Sequence, residues 1–183
     1  GNPPADQSPR ETAPTTRRVI RNGAMEFEVD HFDAAFAQVS KLTAEAGGYV
    51  GTTESTKLPN GKVRGVVTLR VPPDKVDSVI GQLAGKGQFT YQTRSATDVT
   101  GQVADVGSRV DSARASIAEL RTLIDKAASV NDLISLEQAL SQRESDLESL
   151  EAQQKALADQ VQYATITVGY FSQGAAAAPP PVR

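Results

Sequence analysis

The spacing of apolar residues divides the chain into stretches of period two and stretches of helical period. From Val19, Met25, Phe27 and Val29 alternate with Glu26, Glu28 and Asp30, the mark of a half-buried strand. Phe32, Phe36, Val39 and Leu42 then recur at spacings of four and three, which predicts an amphipathic helix ended by Gly47-Gly48. Residues 49–57 and 63–71 read as Val- and Thr-rich strands joined by Leu58-Pro59-Asn60-Gly61-Lys62, whose Asn-Gly pair supplies the positive φ of a tight turn. Pro72-Pro73-Asp74 opens a second helix carrying Val76, Val79, Ile80 and Leu83, and Gly85-Lys86-Gly87 closes it. A fourth strand, Gln88 to about Ala96, alternates Phe89 and Tyr91 with Gln88, Thr90 and Gln92. The order β-α-β-β-α-β predicts an α+β, ferredoxin-like sheet body with two helices on one face.

Beyond this point the period changes. Val103, Val106, Val110, Ala113, Ile117, Leu120, Ile124 and Ala127 keep a three-four spacing, the seam of a coiled coil. A second run, Leu133, Leu136, Leu140, Arg143, Leu147, Leu150, Gln154, Leu157 and Val161, keeps it after a short break, with Ser129 or Asn131 as N-cap. Two seams of similar length bury each other by folding back as an antiparallel helical hairpin, each arm roughly 40 Å long at 1.5 Å per residue. Ala164, Ile166, Val168 and Tyr170 alternate with Thr165, Thr167 and Gly169 as a fifth strand. Because the hairpin returns the chain to where it left, that strand joins the same sheet. The hairpin, residues 101–162, is thus an insertion into a body made of 19–100 and 163–171.

Composition trims this picture at both ends. Of ten prolines, four fall in residues 1–18 and three in Pro179-Pro180-Pro181. The first stretch reads as a disordered tether, and residues 172–183 as an Ala/Pro-rich linker. The absence of Cys and the single His31 exclude disulfides, thiolate chemistry and multi-histidine metal sites. A net charge of −3 gives no basic field for nucleic acid, and no run of 18 apolar residues is present to span a membrane.

Few residues suggest chemistry. His31 precedes the first helix without an evident nucleophile or orienting acid, and reads as a solvent-facing residue at a helix start. Asp98, Thr100, Asp105 and Arg109 cluster where the fourth strand meets the hairpin. Calcium needs more oxygens than they offer, so Asp98 or Thr100 reads as a helix cap, and Asp105 with Arg109 as an i,i+4 ion pair. Arg143 and Gln154 interrupt the leucine seam. A turn centred near residue 129 sets Arg143 opposite Ala113 and Ala115, which leave room for its stem while the guanidinium reaches water. Both glycine pairs end helices, where the dipole has the wrong sign for phosphate. No cofactor, metal or catalytic residue is expected.

Several blocks, in order, resemble one bacterial family: Arg18-Val19-Ile20-Arg21-Asn22-Gly23, Ala46-Gly47-Gly48-Tyr49-Val50, Leu69-Arg70-Val71-Pro72, Ser95-Ala96-Thr97-Asp98-Val99-Thr100 and Tyr163-Ala164-Thr165-Ile166-Thr167-Val168. The family is domain of unknown function 4349, and the similarity spans about residues 17–171. It implies an extracytoplasmic envelope domain, membrane-anchored in the full-length protein by a lipid or a hydrophobic segment. It brings no catalytic residues. The expected function is then non-enzymatic: a sheet body displaying a coiled-coil hairpin to a protein partner or to copies of itself. The contact residues expected are Leu120, Ile124, Ala127, Ala128, Val130, Leu133, Leu136, Leu140 and Arg143. The alternative is a ligand-sensing regulatory domain with a pocket between the sheet and its helices.

Overall fold

The computed structural model describes residues 16–172. In order they form β1 (Val19–Val29), α1 (Phe32–Glu45), β2 (Tyr49–Lys57), β3 (Val63–Val71), α2 (Val76–Gly85), β4 (Phe89–Asp98), α3 (Thr100–Asp125), α4 (Val130–Gln162) and β5 (Ala164–Ser172). The stretches read as tether and linker lie outside the described residues, apart from 16–18 and Ser172. The punctuation works as its chemistry requires. Gly47 ends α1 at φ +82° and Gly61 makes the β2–β3 turn at φ +81°, where Asn60 Oδ1 accepts the Lys62 N–H at 3.0 Å. Pro72, at φ −54°, leads through one 3-10 turn at Pro73–Lys75 into α2. Of the two N-cap candidates for α4, Ser129 caps it, its Oγ accepting the Asp132 N–H at 3.1 Å.

The five strands form one sheet in the order β2-β3-β5-β1-β4. β5 runs parallel to β1 and antiparallel to β3, and the other neighbours are antiparallel. The last strand of the chain is therefore the middle strand of the sheet, and it separates β1 from β3. One face carries the main core. Met25 and Phe27 of β1, Val67, Leu69 and Val71 of β3, and Ala164, Ile166, Val168 and Tyr170 of β5 pack beneath Val39 and Leu42 of α1 and Val76, Val79, Ile80 and Leu83 of α2.

Tyr170 closes this core at one end, stacked on Phe27 at 5.7 Å and meeting Phe32 edge-on at 6.1 Å. Burial pushes its phenol up from 10.0 to about 12. A group whose folded value is raised stabilises the fold fully below its unfolded value and loses that contribution as pH rises. Stability is therefore expected to fall between pH 10 and about 12, and Tyr170→Phe to flatten that alkaline limb in urea unfolding curves.

The fourth strand departs from its sequence reading. Met25 pairs with Gln92 and Glu26 with Tyr91, but Phe27 pairs with Phe89. Thr90 is left over as a bulge, so Phe89 and Tyr91 fall on opposite faces although they are two residues apart. Strict alternation had set them side by side. Phe89 lies on the helix-covered side beyond Phe27, and Tyr91 is turned to the other.

α3 and α4 pack against each other over a second apolar cluster, Val106, Val110, Leu150 and Leu157, which Ile20, Val103, Ala113 and Leu147 adjoin. Arg114 bonds Glu151 at 2.7 Å and Arg121 bonds Glu144 at 3.0 Å. As one partner number rises the other falls, so the two helices are antiparallel.

Candidate functional site

Two surfaces outside the main core combine exposure with distinctive chemistry. The first is the outer end of the α3–α4 pair. Nearest the sheet the seam is closed: Val110 is 2 % exposed and Ile117 5 %. Further out, Leu120, Ile124, Leu133, Leu136 and Leu140 are only half-buried, as is Ala127 in the short link. Val130 is 71 % exposed, Ile134 49 % and Leu123 44 %, and Ala128 is open to solvent. Leu123 and Ile134 fall outside the three-four seam, so periodicity alone had not singled them out.

Arg143 is exposed and lies 3.8 Å from Asp146 of its own helix. It shares a surface groove with Ala113 and Ser116, while Ala115, its other expected neighbour, faces solvent. Gln154 is also exposed, close to the backbone at Gly107. The outer flank is thus apolar at its end and polar along its length.

The second surface is the face of the sheet turned away from α1 and α2. Its outward positions are Asn22 and Ala24 on β1, Tyr91, Thr93, Ser95 and Thr97 on β4, and Thr165 and Thr167 on β5. Gln102 of α3 and Leu157, Asp159 and Gln160 of α4 rise beside them as a wall. Together they enclose an open-sided cleft of about 760 Å³. On the α1/α2 side, where the ligand-sensing alternative expects a pocket, the recess beside Phe27 and Leu83 measures only about 50 Å³.

Arg70 on β3 holds the wall to the sheet. Its side chain is 13 % exposed. It donates to Thr165 Oγ1, to the Asp159 carboxylate and, at 3.2 Å, to the Asp159 carbonyl near the end of α4. The guanidinium also lies 6.0 Å from the Tyr163 ring centre, and that ring meets Tyr49 edge-on at 5.4 Å. A cation at a helix C-terminus, paired and stacked, suits Arg and not Lys. Arg70→Met keeps the stem and removes these donors, and is expected to lower stability by about 2 kcal/mol. Urea denaturation checks this, with Asp159→Asn, whose carboxylate is half-solvated, expected to cost less.

At the opposite side of the wall, Asp98 Oδ1 accepts the Thr100 N–H at 3.0 Å and its hydroxyl at 2.7 Å, and Arg17 bonds Oδ2 at 3.0 Å. These bonds, led by the Thr100 hydroxyl, lower the Asp98 carboxyl from 3.8 to about 2. Arg18 N–H in turn donates to Thr100 Oγ1 at 2.8 Å. The cluster is a junction between β1, β4 and α3. Among the described residues Asp105 and Arg109 form no ion pair and no acidic group gathers as a metal site. His31 sits exposed at the N-cap of α1.

No curated protein and no solved structure matches the chain. Among the described residues no helix is long and apolar enough to cross a membrane. A family model described as Domain of unknown function (DUF4349) matches residues 17–183, from the arginine that pairs with Asp98 onward, and the chain belongs to that family.

Proposed function

We propose that this chain is a non-enzymatic, extracytoplasmic envelope domain that presents a coiled-coil hairpin, α3 and α4, to a protein partner or to further copies of itself. In this reading the body is a ferredoxin-like sheet opened at its centre to admit β5, and the full-length protein is membrane-anchored, as a lipoprotein or through a hydrophobic segment. The observation that carries the reading is the graded burial along the seam. Apolar side chains that are closed off beside the sheet give way, at the far end, to Leu123, Val130 and Ile134 standing open to solvent. Exposed apolar residues clustered at the end of a long projection are a contact surface, whereas singly scattered ones are ordinary. Arg70 and the Asp98 junction set the direction of the projection.

Photoreactive residues placed at 123, 130 and 134 test this in cells. The expected result is crosslinking of one and the same protein from all three positions. The pair Val130→Asp and Ile134→Asp abolishes it while thermal unfolding stays within about 0.5 kcal/mol of wild type, as at other exposed positions. Crosslinking that survives the two aspartates would dismiss the outer end as the contact.

A further inference from the structure

We infer that the cleft under the base of the α3–α4 pair binds an uncharged, hydroxyl-rich ligand, a stretch of neutral oligosaccharide laid across β1, β4 and β5. The inference does not depend on what the outer end of the helices contacts. Its first ground is unspent hydrogen-bonding capacity. The side chains of Asn22, Thr93, Ser95, Thr97, Gln102 and Gln160 converge on the cleft, and among the described residues none of them has a hydrogen-bond partner, in contrast to Thr165, which accepts from Arg70. Hydroxyls and amides each donate and accept, which matches sugar hydroxyls that also do both.

The second ground is charge. Among the described residues the only ionised groups lining the cleft are Arg70 and Asp159, and they neutralise each other. An anionic or cationic ligand would lose hydration there without gaining a counter-charge, whereas a neutral polar one would not. The third is Tyr91. It follows Thr93, Ser95 and Thr97 onto the cleft side, the bulge at Thr90 sending Phe89 to the other face, and it offers a flat apolar surface to the face of a sugar ring. At about 760 Å³ the space lies within the ~300–1,000 Å³ range of small-molecule sites, and it lies where an inserted element meets a body, a common place for them.

An extended peptide fits less well. Peptides that bind sheets commonly do so by adding a strand at an edge; β1 and β5 are already hydrogen-bonded on both sides, and a strand added at the open edge of β4 would extend the sheet beside the cleft and not lie across it. The cleft offers few apolar walls for peptide side chains beyond Ile20, Ala24, Val99 and Leu157.

The test is titration of the ¹⁵N-labelled chain with a linear tetrasaccharide of N-acetylglucosamine and with maltotetraose, against tetra-alanine amide and an oligogalacturonate. A saturable shift of the Asn22, Gln102 and Gln160 side-chain amides is expected with at least one neutral sugar, at concentrations up to about 10 mM. Thr93→Val combined with Ser95→Ala, and separately Tyr91→Leu, should each weaken that binding by about tenfold or more with thermal unfolding unchanged. Val130→Asp with Ile134→Asp should leave it intact. No saturable shift with either sugar, equal binding by the variant lacking the Thr93 and Ser95 hydroxyls, or stronger binding of the peptide or the anionic glycan would each overturn the assignment.

Discussion

Replacing Ile166 with Ala is expected to cost about 3–4 kcal/mol, a large fraction of the roughly 5–15 kcal/mol that holds a domain folded. Ile166 is fully buried. It pairs with Gly23 on one side and Leu69 on the other, in the one strand that both halves of the sheet share. A Cβ added at Gly23 would lie 2.7 Å from Ile80 and 3.7 Å from Ile166, which shows how closely those side chains already fill the space above it. Neighbours so fixed cannot collapse into the void, and the cavity term adds to the lost burial. Thr167→Val, one residue on and facing the cleft, is the control and should change stability by less than about 0.5 kcal/mol. Urea unfolding followed by circular dichroism separates the two. If both substitutions had the same small effect, β5 would not be holding the sheet together.

Gly48→Ala is expected to destabilise by about 3 kcal/mol, as large an effect as a single methyl commonly has. A Cβ there would collide with the carbonyl oxygen of Arg70 and lie 3.0 Å from Val71 Cα. Both are backbone atoms of β3, so no side chain can swing away, and relief would require separating β2 from β3 at its first pairs. Because the neighbouring residue is Arg70, the strain would also reach the contact that anchors α4. Gly81→Ala supplies the opposite sign. It lies in α2 with no atom within 4 Å of the added methyl, and the gain in helix propensity should raise stability by about 0.5–1 kcal/mol. Thermal unfolding of the two variants, measured together, distinguishes a steric clash from a general intolerance of substituted glycines.

Most of the elements are legible in the sequence because each is announced by local chemistry. Period-two alternation, the three-four seam, Asn60-Gly61, Pro72-Pro73 and Ser129 act within a few residues of themselves, and the structure places strands, helices, turn and cap where they point. The family blocks are legible for the same reason. Gly48 and Arg70 stand in two of them, and each makes a contact that few other residues could replace. Local rules failed at Thr90, where one extra residue in β4 sets Phe89 and Tyr91 on opposite faces. A bulge leaves no mark on a pattern so short, since its cause is the register demanded by the partner strand.

The candidate surfaces divide along the same line. Alternation predicts that Thr167 faces away from the core, but with Phe89 and Tyr91 on the apolar side it sets Thr93, Ser95 and Thr97 there too, and it is the pairing of β4 with β1 that places all of them on the outer face. What makes them a cleft is the wall of α3 and α4 beside them, fixed by Arg70 across 89 residues of sequence to Asp159. By itself, then, the sequence determined which segments are strand or helix, which side of most of them is apolar, that two long helices follow the sheet segments, and that these 183 residues hold no cysteine. Only the tertiary structure decided that the last strand is the middle one, that Tyr91 turns outward, and that a polar sheet face is partly enclosed. The reason is range: side-chain periodicity and turn chemistry are properties of neighbouring residues. Strand order and the placing of one element over another depend on contacts between residues far apart in the chain, which no local pattern specifies.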